Sequence, residues 1–171
     1  MRSKIALKWG ALLGASVVVW TLALHALGWY TTDIAKGQVA DQVAIILPVI
    51  AIFLALRERR NVAGGNLTIG DATATGVMTG AVSIPITVGF LWLYHNVINP
   101  RWLEYVVAYE RQRLAGAGRP PAEIEAMSAA LTTSGTNAAQ LVSGIVGTIV
   151  VSLVIGVLGW LVLRRWRRAP A

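Results

Sequence analysis

Apolar residues run in four long blocks along the chain, and short clusters of charge separate them. The first, residues 9–30, holds about 22 mostly apolar positions. At ~1.5 Å of rise per residue, a helix of that length crosses a hydrocarbon core of ~30 Å. Residues 38–56, 71–98 and 138–163 are the other three blocks. Backbone groups in lipid must find partners within their own segment, so blocks of this length predict transmembrane helices. A secretory signal carries an apolar stretch of only about 7–15 residues ending in small side chains. The first block is longer, and Leu24 spoils the nearest small-x-small site, which ends at Ala26. It reads as an uncleaved helix.

Local signals divide the rest. Residues 31–37 form a polar loop, and Asp41 and Gln42 fall near the outer headgroups. Pro48 and Pro85 lie inside apolar blocks and predict kinks. Gly64 and Gly65 mark a turn, after which Thr68, Ile69, Gly70 and Asp71 read as a capping box that starts the third span. Asn99 followed by Pro100 reads as a cap and first residue of a new helix. In that helix, residues 101–114, Trp102, Leu103, Val106 and Val107 share one face, which predicts an amphipathic helix on the outer membrane surface. Residues 116–118 break it, and Pro120 and Pro121 open another short helix. The expected fold is all-α: one integral membrane domain, 1–171, built as a four-helix transmembrane bundle with one or two short periplasmic helices over about 100–131.

Composition supports a membrane setting. Hydrophobic residues make up 56% and charged residues 13%, with a mean hydropathy of +0.62. Soluble domains carry about 25% charged residues. The net charge is +7, but the basic residues flank the apolar blocks, as anionic headgroups favour, and no nucleic-acid motif accompanies them. Nucleic acid is therefore not expected as a partner; membrane lipids are. With no cysteine, thiol catalysis and zinc–thiolate sites are excluded. Ten Lys and Arg fall on the side of the N-terminus, the 57–70 loop and the C-terminus (Arg2, Lys4, Lys8, Arg57, Arg59, Arg60, Arg164, Arg165, Arg167, Arg168). The five on the other side (Lys36, Arg101, Arg111, Arg113, Arg119) are diluted over a longer stretch. Both termini are therefore expected in the cytoplasm. Trp9, Trp160 and Trp166 fall at one interfacial depth, and Trp29, Trp92 and Trp102 at the other.

Lipid is as apolar as leucine, so membrane helices associate where small residues let backbones approach. Gly144, Thr148, Ser152 and Gly156 recur every four positions in the last block, and Gly76 and Gly80 in the third, with Gly10 and Gly14 in the first. The third and fourth spans are expected to pack along these stripes; the rival use is a homodimer.

Polar residues inside membranes are candidates for function. His25, Asp41, His95 and Glu104 fall at similar outer depth and could form a polar pocket for a headgroup, ion or small ligand. Position at headgroup depth, where polar side chains cost little, is the leading account of them, because none falls at the bilayer centre. No phosphate loop, His-Glu-x-x-His pattern or nucleophile elbow occurs, so no catalytic residue, metal ligand or cofactor is assigned.

Several features in order resemble the domain-of-unknown-function 4199 family of small bacterial inner-membrane proteins. They are Lys8, Trp9 and Gly10 at the start of the first span, the Arg-rich 57–60 stretch, and Gly64 and Gly65 leading into residues 67–72. Asn99 and Pro100 after the third span complete the pattern. At Ile69 the family more often has an aromatic residue. The resemblance implies four spans and an inner-membrane location, and no activity. On these grounds the leading expectation is a non-enzymatic scaffold or accessory subunit of a larger membrane complex. Binding or transport of a ligand, ion or lipid through a periplasm-facing pocket is the second. A membrane-embedded enzyme acting on lipid, with His25 and His95 as its acid–base pair, is the third.

Overall fold

The computed structural model describes residues 2–165. Arg167 and Arg168 of the basic stop, and Trp166, lie outside the described residues. The described chain is all-α: α1 Arg2–Ala26, α2 Ile34–Val43, α3 Ile46–Val62, α4 Ile69–Leu93, α5 Trp102–Gly116, α6 Pro121–Ser134 and α7 Asn137–Arg165. A single π turn, Tyr94–Ile98, extends α4. Four helical stretches are long and apolar enough to cross a membrane: Arg2–Ala26, Ile34–Val62, Ile69–Ile98 and Asn137–Arg165.

Each boundary has a local cause. α1 begins inside the basic segment and stops earlier than the apolar block does. Gly28 adopts φ +76, its N–H bonds to the His25 carbonyl, and the Trp29 N–H bonds to the Leu24 carbonyl. That is a left-handed glycine cap. The stretch read as a polar loop is largely helical, because the Asp33 carboxylate accepts from the Lys36 N–H and starts α2 at Ile34. Pro48 has no N–H for the Ala44 carbonyl, which takes the Leu47 N–H instead. The span breaks there into α2 and α3. Pro85, by contrast, is carried inside an unbroken α4. Thr68 caps α4 as the sequence indicates, its hydroxyl accepting from the Asp71 N–H at 3.0 Å. The Asn99–Pro100 step differs from its expected role. Arg101 is the residue before α5, with no side-chain cap, and Asn99 is buried inside the fold.

α4 lies between α1 and α7, and α3 touches all three. Glycines set the spacing. A Cβ on Gly10 would meet the Thr79 carbonyl of α4 at 2.6 Å, and one on Gly76 would meet the Ser152 carbonyl of α7 at 2.7 Å. A Cβ on Gly156 would lie 3.2 Å from the Ala72 carbonyl. Thr75, Thr79 and Ser83 are buried in α4 and return their hydroxyls to carbonyls three or four residues back, so each of the three has an acceptor within its own helix.

The two ends of the bundle differ. At the basic end α3, α4 and α7 close around Ile52, Leu56, Ala72 and Leu163. Glu58 accepts from Lys8 at 2.5 Å and from the Trp9 indole at 2.7 Å, Asp71 pairs with Arg2 and Arg59, and Trp160 donates to the Leu67 carbonyl. At the other end α5 and α6 form a hairpin joined by Arg111, which donates to Ser128 at 2.8 Å and pairs with Glu125.

Candidate functional site

The break at Pro48 lies at the level of a gap between the second and fourth spans. α3 touches α7 where a Cβ on Gly159 would meet Leu56, but further along, Ala44, Ile45 and Pro48 stand across a gap from Ser143, Gly144 and Gly147. The gap is a cavity of about 380 Å³. It adjoins a second, of about 360 Å³, with Val17, Ala44 and Leu91 as common walls. A third, of about 300 Å³, lies between α4 and α7 and shares His95 and Leu91 with the second. Together they hollow the half of the bundle remote from the basic end.

The 380 Å³ cavity is walled mainly by aliphatic and small residues, with Ser83, Thr87 and Ser152 among them. The 360 Å³ cavity carries the polar and aromatic groups: Trp20, Tyr30, Gln38, Asp41, His95 and Trp102. Volumes of ~300–1,000 Å³ with a few polar groups on apolar walls are typical of small-molecule sites.

A chain of hydrogen bonds backs this wall. The Tyr30 hydroxyl donates to Asp41 Oδ1. Asn99 Nδ2 donates to the Tyr30 carbonyl and to the Tyr94 hydroxyl, each at 3.2 Å. That hydroxyl lies 2.9 Å from His25 Nδ1. His95 stacks on Trp102, ring centroids 4.2 Å apart, and so joins the π turn to the start of α5. Burial pushes the Tyr30 phenol above its ordinary range, and the hydrogen bond to the Asp41 carboxylate pushes the same way. Tyr30 therefore stays a donor at any physiological pH.

α5 is held over the site by Glu110. It accepts from Gln38 of α2 at 2.9 Å and pairs with Arg113 at 2.7 Å. Burial raises the Glu110 carboxyl, but the bonds from Gln38 and Arg113 outweigh it and leave the group below its ordinary value.

Of the residues singled out by sequence, Asp41 and His95 line one cavity, and His25 stands behind it through Tyr94. Glu104 does not join them; it is exposed on α5 and pairs with Arg101 at 2.8 Å. Of the packing residues, Gly76, Gly80, Ser152 and Gly156 meet at the α4–α7 contact, with Thr148 at its edge. Gly144 faces Val88 more loosely, where a Cβ would be 3.9 Å away. Tyr30, Trp20, Trp102, Gln38 and Asn99 were not singled out. Of these, Trp102 carried an interfacial signal and Asn99 the signal of a helix cap, while nothing local marks Trp20, Tyr30 or Gln38. The described residues hold no cluster of three or more potential metal ligands.

A model of the family described as "Protein of unknown function (DUF4199)" matches residues 8–165. No curated protein and no solved structure matches the chain.

Proposed function

We propose, from the premise that the chain belongs to the DUF4199 family, that this membrane-spanning protein binds an amphiphile in the cleft between α3 and α7. The family brings no activity with it, so the reading rests on the site. The observation that carries it is the continuity between an aliphatic cavity at Pro48 and Gly147 and a polar, aromatic one at Asp41 and Tyr30. An acyl or prenyl tail suits the first and a headgroup the second. The gap between α3 and α7 offers a sideways route from lipid. The charge split between the two ends supports placing the basic end in the cytoplasm and the cavity towards the periplasm of a bacterial inner membrane.

The accessory-subunit reading rests on less. Exposed apolar side chains along α7, such as Leu153 and Leu158, are what lipid contact alone requires.

The test is photolabelling of the full-length protein in nanodiscs with a dodecanol carrying a diazirine in its chain. Gly147 borders the cleft with no atom within 4 Å of a Cβ placed on it, so Gly147→Leu starts its side chain in open space and takes up room at the cleft. Adducts are expected on residues such as Val17 and Leu91, and to drop about tenfold or more in Gly147→Leu at unchanged thermal stability. Adducts spread evenly over the outer face of α7, unaffected by the substitution, overturn the reading.

A further inference from the structure

We propose that the headgroup this site accepts is an organic ammonium, held by Asp41 within a wall of aromatic rings. The inference rests on the amphiphile reading above and names its chemistry.

The chain has eight carboxylates. Seven pair with a Lys or Arg: Asp33, Glu58, Asp71, Glu104, Glu110, Glu123 and Glu125. Asp41 is the exception among the described residues. Its side-chain hydrogen bond comes from the neutral Tyr30 hydroxyl. The nearest cation in sequence, Lys36, is taken by Asp33 at 2.6 Å. Yet Asp41 is the one carboxylate lining the 360 Å³ cavity, and it sits in a segment apolar enough to cross the membrane. A carboxylate at the edge of hydrocarbon with no counter-charge is costly, and such groups are normally paired. The missing cation is what the cavity would receive.

The surroundings select the kind of cation. Trp20, Tyr30, Tyr94 and Trp102 all line the same cavity. Aromatic faces attract ammonium groups, and several rings around one space is the arrangement that recognises quaternary ammonium. A hard metal ion needs six or more oxygens and finds one carboxylate here. Stacked on Trp102, the His95 imidazole adds another ring to the same wall. The adjoining aliphatic cleft takes the chain that such a headgroup carries.

The experiment uses the full-length protein in nanodiscs of digalactosyldiacylglycerol, a lipid without charge. Three dodecyl diazirine probes are compared, with trimethylammonium, hydroxyl and sulfate heads, each corrected for uptake by empty discs. Capture of the ammonium probe is expected to exceed that of the alcohol by about tenfold, with the sulfate below both. Asp41→Asn, nearly isosteric and at the cavity mouth, is expected to bring ammonium and alcohol together while thermal stability holds. Equal capture of the two by the unsubstituted protein, unchanged in Asp41→Asn, overturns the ammonium inference and leaves the amphiphile reading standing. Capture of none above empty discs overturns both. Phosphatidylethanolamine doped into the discs then separates the sources. Competition marks a lipid headgroup as the ammonium, and its absence marks a free lipophilic cation.

Discussion

Ser152 of α7 faces Gly80 of α4 so closely that a methyl group on Gly80 would overlap the Ser152 hydroxyl. The same serine's carbonyl sits 2.7 Å from where a Cβ on Gly76 would be. Backbone meets backbone at this level, and dispersion over that short separation is what holds two helices together in lipid.

Gly80→Val therefore forces α4 and α7 apart. Overpacking of this kind costs about 1–3 kcal/mol. The expected result is a fall of several degrees in the unfolding temperature of the detergent-solubilised protein. Because the overlap is with the serine side chain, Ser152→Gly in the same molecule should restore most of the loss. If Gly80→Val is neutral, α4 and α7 do not meet along this stripe.

At the basic end, Asp71 accepts from Arg59 at 3.1 Å and from Arg2, and the Arg59 side chain is only 19% exposed. Replacing the carboxylate by an amide leaves two guanidiniums facing each other with one poorly solvated. Asp71→Asn should cost roughly 2 kcal/mol, since removing one partner of a part-buried pair strands the other. Glu58→Gln, whose Lys8 partner is half exposed, should cost well under that. Thermal unfolding of the two variants side by side is the measurement, and equal losses would count against a special role for Asp71.

The α5–α6 hairpin should loosen in acid. Glu110 has a carboxyl held below its ordinary value of 4.5 in the folded state. A depressed carboxyl contributes stability that is fully present above the unfolded value and is lost as pH falls through the folded one. Hydrogen exchange in residues 102–134 should therefore be slow from pH 7 down to about 5 and accelerate below about 4, after correction for intrinsic rates. Glu110→Gln, which cannot titrate, should show faster exchange at neutral pH and no further acid step.

The architecture was legible where physics acts on neighbours along the chain. Span length, the four-residue recurrence of Gly76 and Gly80, and the Thr68–Asp71 cap are local patterns with direct structural consequences. Two local signals were also present at Gly28 and Asp33, and they set the end of α1 and the start of α2. The site was legible only in part. Depth along a helix groups His25, Asp41, His95 and Glu104, but depth is one coordinate. Rotation about the helix axis separates Glu104, which α5 turns towards Arg101, from His95, which the π turn aims at Trp102. Asn99 illustrates the harder case. Its role is to donate across 69 positions to Tyr30, and Asn-Pro reads the same whether the amide caps a helix or is buried.

Pro48 offers the sharpest test of how the break in the second span relates to the cleft. With no N–H at position 48, the Ala44 carbonyl bonds to Leu47, and α2 gives way to α3 at the level where Ala44, Ile45 and Pro48 line the cavity. Alanine at 48 supplies the missing donor, so Pro48→Ala should join α2 and α3 into one helix over residues 34–62. A proline inside a helix costs ~3 kcal/mol in water, and relief of even part of that should raise the unfolding temperature by several degrees. If the break is what opens the cleft, the gap opposite Gly147 should narrow in the joined helix. Capture of the dodecanol probe should then fall about tenfold, in a protein that is more stable than the original. That combination separates a shaped cavity from a general loss of structure, because damage lowers both quantities together. A more stable Pro48→Ala protein that labels as well as before would mean that the break is not what opens the cleft.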